Sequence, residues 1–334
     1  MPINCLAAFA AREKLRPFQY EPDELAPLDV ELDITHCGIC HSDLHLINND
    51  WGFSTFPLVP GHEIVGTVSA LGAAVQHLSL GQRVGVGWQA AACMECEQCR
   101  SGYENLCARW VPTCVGRYGG YATRIRVDSR FAFSIPGGYD SAEVAPLLCG
   151  GITVFTPLRE FGVTPLTRVG VIGVGGLGHL ALQFARAFGC EVTAFSSTPA
   201  KEREARKFGA DHFILSSDPE ALKKAAQSLD FLLSAVSASL DWDAYINVLR
   251  PKGKLCFVGA PPGPLTVSMF PLIVGQRTIC GSNTGGPRAI QEMLGFASRH
   301  GIKAQVELMP MSEANAALAK VAENNARYRM VLVN

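Results

Sequence analysis

Residues 168–188 read Arg-Val-Gly-Val-Ile-Gly-Val-Gly-Gly-Leu-Gly-His-Leu-Ala-Leu-Gln-Phe-Ala-Arg-Ala-Phe, and this stretch decides the fold. Residues 168–174 are a short apolar run suited to a strand buried on both faces. Leu177, Leu180, Ala181, Phe184 and Phe188 then return at helical spacing up to Gly189, a natural helix stop. Between strand and helix lies the loop Gly173, Val174, Gly175, Gly176, Leu177, Gly178. Its glycines allow a tight turn, a close approach of backbone to a pyrophosphate, and a helix N-terminus whose free amides face that anion. Set between that strand and that helix, the loop predicts dinucleotide binding; a purely structural glycine-rich turn is the plain alternative.

The rhythm continues outward from this unit. Strands are predicted over 191–196, 212–215, 230–236 and 254–260. Helices are predicted from Pro199 behind Thr198, over 218–228 behind Asp218, and over 240–249 before Pro251. Repeated β-α units with right-handed crossovers predict a doubly wound parallel sheet, an α/β Rossmann domain over 150–286. Before residue 150 the chain is rich in Gly and Pro, with short β-like runs over 63–70 and 83–87, and a helix over 287–300 and a strand-like run over 328–333 follow the sheet. The expected partition is 1–149 with 287–334 as one domain and 150–286 as the other.

Composition fits two domains. The chain has 334 residues, 48% hydrophobic and 18% charged, enough to cover sizeable cores. Twenty-nine basic against 30 acidic side chains leave a net charge of -1, which offers no broad field for nucleic acid or an anionic membrane. The uncharged stretch 169–185 holds five glycines and a histidine, poor material for a membrane span, and the first residues, with Cys5, Glu13 and no basic start before an apolar core, do not resemble a secretory signal. A cytoplasmic protein is expected, so the 12 cysteines are read as reduced thiols and metal ligands.

Cys93, Cys96, Cys99 and Cys107 have a spacing that lets one loop wrap a closed tetrahedral Zn²⁺ site, structural in kind. The ferredoxin pattern has a shorter last gap followed by Pro, whereas Ala108 follows Cys107; Glu95, Glu97 and Glu104 disfavour a DNA-reading finger. Thiol, imidazole and carboxylate also crowd residues 37–45 and 60–63, as a second, open zinc site would require, although such residues serve packing just as often. At the end of the second strand, where an acid would favour NAD, the chain has Ser196, Ser197 and Thr198, with Lys201 beyond. This favours NADP(H), unless Lys201 is an ordinary solvated helix residue beside Glu202 and Glu204.

Taken in order, Cys40-His-Ser-Asp, Gly61-His-Glu, the four-cysteine lobe, Pro146-Leu-Leu-Cys and the glycine loop resemble the zinc-dependent medium-chain alcohol dehydrogenases, closest to their cinnamyl-alcohol-dehydrogenase-like branch. The likeness runs through nearly the whole chain. It implies a β-rich GroES-like catalytic domain carrying the zinc lobe, two Zn²⁺ per chain, and an alcohol or aldehyde substrate. Cys40, His62 and Cys149 would bind catalytic zinc. Glu63 would be a fourth ligand or exchange with water, ranked lower because neighbours on a strand point apart. Asp43 would orient His62, or simply cap a turn. Ser42 would meet the substrate oxygen and pass a proton through the ribose hydroxyls to His45. By the same likeness Thr153 stands beside the nicotinamide, Arg329 meets the pyrophosphate and His41 touches phosphate. Trp51 and Trp88, with Phe53 and Trp110, would wall the pocket, or be core.

Only residues 108–118 separate Cys107 from Gly119, a shorter loop than relatives often carry, which implies a more open pocket. The resemblance also implies a homodimer or tetramer, and 269–284 offers apolar residues for an interface or a sheet edge. The expected activity is NADP-linked interconversion of a primary alcohol and an aromatic or medium-chain aldehyde. Its rivals are a zinc-independent quinone or enoyl reductase and a non-catalytic dinucleotide-binding sensor.

Overall fold

The structure is a computed structural model and is described for residues 1–261 and 263–334. The chain divides into two compact units, Met1–Ile152 with Thr284–Asn334, and Thr153–Asn283.

The first unit begins with strands β1 (Ile3–Ala7) and β2 (Arg16–Tyr20), a separate antiparallel pair, then β3 (Asp29–Gly38) and helix α1 (His41–Asn48). Strands β4 (Ile64–Leu71), β5 (Arg83–Val86), β6 (Gln89–Ala91) and β7 (Val111–Pro112) follow, with the one-turn helix α2 (Glu97–Arg100) in the cysteine lobe. Strands β8 (Arg124–Asp128) and β9 (Ala132–Ser134) and the short α3 (Ser141–Val144) complete this part. The central strands carry the β-branched and aliphatic side chains that a pleated, buried surface favours. Val30, Leu32, Ile64, Val84, Val86 and Ile125 are at most 1% exposed, each contributing about 1.5–3 kcal/mol of apolar burial.

Helix α4 (Gly150–Glu160) spans the first junction between the units. The second unit then alternates β10 (Arg168–Ile172), α5 (Gly178–Ala187), β11 (Glu191–Ser196), α6 (Glu202–Lys207), β12 (His212–Leu215), α7 (Pro219–Lys224), β13 (Leu229–Ser234), α8 (Trp242–Val248), β14 (Leu249–Phe257), α9 (Met269–Gly275) and β15 (Thr278–Gly281). Its six strands are all parallel, in the order β12-β11-β10-β13-β14-β15. In β-α counting this is 3-2-1-4-5-6, the doubly wound order expected from the alternation, with its switch point between β10 and β13. Ligands of such sheets bind beyond the carboxyl ends of the strands there, where residues 173–178 lie.

The chain then returns to the first unit with α10 (Pro287–His300), β16 (Val306–Pro310), α11 (Ala314–Ala322) and β17 (Arg329–Val333). Strand β17 pairs antiparallel with β3 and extends the order to β16-β17-β3-β4-β5-β9, while β8 pairs β3 as well. Helix α10 and strand β17 fall in the first unit, and β17 joins the sheet that carries the cysteines and histidines.

Besides strands β10 and β13, which end two residues before the expected 174 and 236, four elements depart further from the expected bounds. The helix predicted from Pro199 opens as a 3-10 turn, Pro199–Lys201, before α6, and the Thr198 side chain makes no cap bond. Helix α7 stops at Lys224 although Asp218 caps it as expected. Helix α8 covers Trp242–Val248, inside the wider span predicted. Strand β14 starts at Leu249, before the expected 254: Leu249 pairs with Leu229, a register irregularity follows, and Lys252 takes a positive φ of 65° there. A proline beside a bulge does not break a strand. Helices α4, α9 and α11 and strands β15 and β16 had no assignment from the sequence. Among the described residues no single helix is long and apolar enough to cross a membrane.

Candidate functional site

The lobe cysteines come from one stretch, with α2 turning the chain between Cys96 and Cys107. Their sulfurs stand 3.8 Å (Cys93 to Cys99), 3.5 Å (Cys96 to Cys99) and 3.5 Å (Cys107 to Cys93) apart. A tetrahedron with Zn–S bonds of about 2.3 Å has edges of roughly 3.8 Å, so these four thiols fit that ion with no corner left over. Backbone amides of Glu95 and Cys96 hold the Cys93 thiol down to about 6, which favours the ligating thiolate.

The second cluster is assembled from three places. Cys40 caps α1, His62 and Glu63 precede β4, and Cys149 follows a short 3-10 turn. One ligand atom from each lies within 4.8 Å of the others, and His62 and Glu63 are fully buried. His62 Nε2 and Glu63 Oε2 are buried with no hydrogen-bond partner. Buried polar atoms left unpaired cost free energy, so two of them aimed at a pair of thiols is the signature of a cation-binding pocket, and the donor set suits zinc. The expectation that neighbouring side chains must diverge does not apply, because residues 62 and 63 lie outside β4 in irregular backbone after Gly61, whose φ is 102°.

Burial drives Glu63 up to about 7 against the pull of Arg329. Contact with Cys149 holds Cys40 well below the usual thiol range, and the same contact raises Cys149. Burial opposes charge on His62, yet Asp43 lifts it well above its ordinary value.

Around these four the remaining side chains are ordered by hydrogen bonds. Asp43 Oδ1 meets His62 Nδ1 at 3.1 Å and accepts from Gly61 N at 3.0 Å, while Oδ2 accepts from Cys40 N at 2.9 Å. The orienting role and the turn cap, offered as alternatives, are thus made by the two oxygens of one carboxylate. Ser42 Oγ is 3.6 Å from Cys40 Sγ, and His45 Nδ1 is 2.8 Å from Asp50 Oδ2. His41 opens α1 on its exposed side. Arg329, 5% exposed, donates to Glu63 Oε1 and to Ile39 O, so its nearest anion in the structure is Glu63.

A row of rings leads away from the cluster. Trp88 meets the His62 ring edge-on at 4.7 Å, and Trp51 and Trp110 follow at 6.4 and 6.2 Å from Trp88. Trp51 stacks on Phe53 at 5.6 Å and is 38% exposed, so it is not interior core, whereas partly buried Trp88 packs against the core. The short 108–118 loop borders a separate cavity of about 850 Å³, lined by Tyr20, Phe56, Arg117, Tyr118 and Arg126, which none of the tryptophans lines. Cys114, overlooked in the sequence, is fully buried against Asp43 and His62. Nothing in its spacing marks it.

In the second unit, Gly173 has a φ of 92°, and a Cβ on Gly178 would stand 1.8 Å from Gly173 O. Only glycine satisfies both positions. A Cβ on Gly175 would meet nothing within 4 Å, so that backbone faces open space. The first turn of α5 has no side-chain cap, and its His179 and Leu180 amides donate to the main-chain carbonyls of Gly175 and Leu177. Gly176 and Leu177 complete the turn. Ser196 Oγ, at the end of β11, accepts from Thr198 N at 3.2 Å and keeps its own hydrogen to donate. Ser197 is exposed, and Lys201 is 13% exposed in its side chain with Nζ 3.4 Å from Glu204, not the fully solvated residue of the plain alternative. Thr153 lies in the first turn of α4.

Comparison with known proteins agrees with this geometry. The chain matches the zinc-binding dehydrogenase family over residues 176–299 and the alcohol dehydrogenase GroES-like domain over 26–137. It is 48% identical to the aldehyde reductase AdhA of Synechocystis over 330 residues, 99% of this chain and 98% of the relative. The cinnamyl alcohol dehydrogenase SbCAD4 of Sorghum bicolor superposes with a TM-score of 0.96 at 37% identity, covering 100% of this chain and 98% of that one. The cinnamyl alcohol dehydrogenase of Helicobacter pylori, solved with NADP(H), gives 0.92 at 34%, again covering 100% and 98%.

Proposed function

The chain belongs to the zinc-dependent medium-chain alcohol dehydrogenases, and from that premise we propose that it is an NADP(H)-linked aldehyde reductase acting on aromatic or medium-chain aldehydes and the matching primary alcohols. The observation that carries this reading is the convergence of Cys40, Cys149 and the unpaired His62 Nε2 and Glu63 Oε2 on one buried point. Cys40, His62 and Cys149 would hold the catalytic ion, Glu63 would share or yield its place, and the lobe would hold the structural one. When bound, Zn²⁺ supplies a Lewis acid for the substrate oxygen and NADP(H) the hydride carrier.

The chain's own residues do the rest. Asp43 fixes the tautomer and tilt of His62. Ser42 and His45 stand three residues apart on α1 and so share a face; the Ser42 hydroxyl holds the proton of the substrate oxygen, and half-exposed His45 exchanges it with solvent. Trp88 and Trp51 exclude water and give flat apolar walls for an aryl or alkyl group. Gly173, Gly175, Gly176, Leu177 and Gly178 cradle the pyrophosphate, with Thr153 beside the nicotinamide and His41 near phosphate. Ser196, Ser197 and Lys201 take the 2'-phosphate, supported by the absence of an acid at the end of β11. Met269, Phe270, Ile273 and Val274 of α9 are 63–76% exposed, and we assign this apolar face to a homodimer contact.

Initial rates with NADPH and NADH over a panel of aromatic and aliphatic aldehydes test the reading. NADPH preference with benzaldehyde-type substrates is expected; a clear NADH preference removes the Ser196 and Lys201 assignment. Aldehyde turnover that survives Cys40→Ser would transfer the protein to the zinc-independent reductases.

A further inference from the structure

Six of the 12 cysteines belong to the two clusters, and Cys114 lies against His62. Of the other five, Cys5, Cys37 and Cys190 are buried, and each donates to a main-chain carbonyl, of Phe18, Gly38 and Thr164. Cys280 also donates to a main-chain carbonyl, Leu255 O at 3.7 Å, but it and Cys256 differ from the other three in standing directly opposite each other in the parallel register of β14 and β15.

Opposed residues of neighbouring parallel strands project from the same face of the sheet. The strands run about 4.8 Å apart, inside the roughly 4.4–6.8 Å between Cα atoms that a disulfide spans. The two sulfurs also differ in environment. Cys256 is completely buried, whereas Cys280 lies on the outermost strand and is only partly covered. Contact with the Cys256 thiol, joined by the charge of Lys254, holds the Cys280 thiol below its ordinary value. One sulfur is therefore reachable and inclined to ionise, and the other waits behind it.

We propose that Cys256 and Cys280 are a peroxide-responsive pair that forms a reversible disulfide, stapling β15 to β14. The Cys280 thiolate attacks one oxygen of hydrogen peroxide, the O–O bond breaks, the other oxygen leaves as water after taking a proton, and Cys280 becomes a sulfenic acid. The Cys256 sulfur then attacks Cys280, the S–S bond forms, the S–O bond breaks, and the second oxygen departs as water. The two thiols together lose two electrons and two protons, and one peroxide becomes two waters. A dithiol reductant reverses the bond. The staple closes the stretch between the two strands into a loop, and that loop carries the apolar face of α9.

The test uses the full-length, zinc-loaded protein, reduced, freed of reductant, treated with about one equivalent of hydrogen peroxide, alkylated with N-ethylmaleimide and mapped as peptides. The expected product is one peptide pair joined through residues 256 and 280 and lighter than its parts by two hydrogen atoms, formed while the bound zinc stays on the chain and released by dithiothreitol. Cys280→Ser and, separately, Cys256→Ser each abolish the link, and Cys190→Ser leaves it unchanged. Recovery of both thiols in alkylated form after peroxide has oxidised other cysteines or displaced zinc overturns the proposal. A sulfenic acid that stays at residue 280 without reaching the disulfide overturns it too.

Discussion

The four-cysteine lobe and the Cys40–His62–Glu63–Cys149 cluster are built on opposite plans. The lobe draws four identical ligands from 15 consecutive residues, and its thiols contact one another, with the backbone amides of Cys96 and Arg109 donating to Cys93 and Cys107. The other cluster spans 110 residues of chain, mixes thiol, imidazole and carboxylate, and needs Asp43 and Arg329 behind it. A site made of one loop can be satisfied by itself and serves stability. A site made from several elements is as accurate as the packing that brings them together, and that packing can leave a position open for chemistry.

The largest effect expected from this contrast is at Cys40. Cys40→Ser should lower aldehyde turnover by more than about a thousandfold while the melting temperature moves little, since several kcal/mol of transition-state stabilisation is lost. Steady-state rates beside a thermal melt decide it, and parallel losses in both would erase the distinction between the two plans. Cys107→Ser should do the reverse. Stability should fall by about 3 kcal/mol, seen as a melting temperature lower by roughly 6–12 °C, with kcat at low temperature almost unchanged and one zinc fewer by metal analysis. A large drop in kcat at unchanged stability would mean that the lobe has chemistry of its own.

Asp43→Asn sharpens the comparison within the dispersed site. It should weaken zinc retention or turnover by about 10–100-fold, read by competition with a chromophoric chelator, and an unaltered affinity would reduce Asp43 to its capping bond with Cys40. The smallest effect is expected far from both clusters: Lys201→Ala should reduce the ratio of NADPH to NADH efficiency by roughly tenfold, the share of one charge-assisted hydrogen bond. A ratio that does not move would leave Lys201 to Glu204.

The legibility of the molecule follows the same division. The glycine loop, the alternating strands and helices around it and the lobe are local patterns, and the sheet order and sulfur spacings agree with them. The convergence of Cys40, His62 and Cys149 is not local, and resemblance rather than spacing brought those residues together. Glu63 illustrates the limit. Period-2 reasoning set its side chain against that of His62, but the backbone before β4 is irregular, and both reach one point. Cys114 was invisible because contact with His62 depends on a loop, and β15 because four residues on a sheet edge carry too little pattern. Strand β14 was cut short because 240–249 was read as a helix stopped by Pro251, whereas the strand already begins at Leu249.

Arg329, which grips Glu63 from β17, sits near the far end of the chain, after the whole of Thr153–Asn283. A ribosome working from the N-terminus therefore exposes Cys40, His62 and Glu63 long before it delivers the cation that quiets the buried carboxylate. During synthesis the doubly wound sheet is complete as a chain before the Arg329 partner of Glu63 has been made.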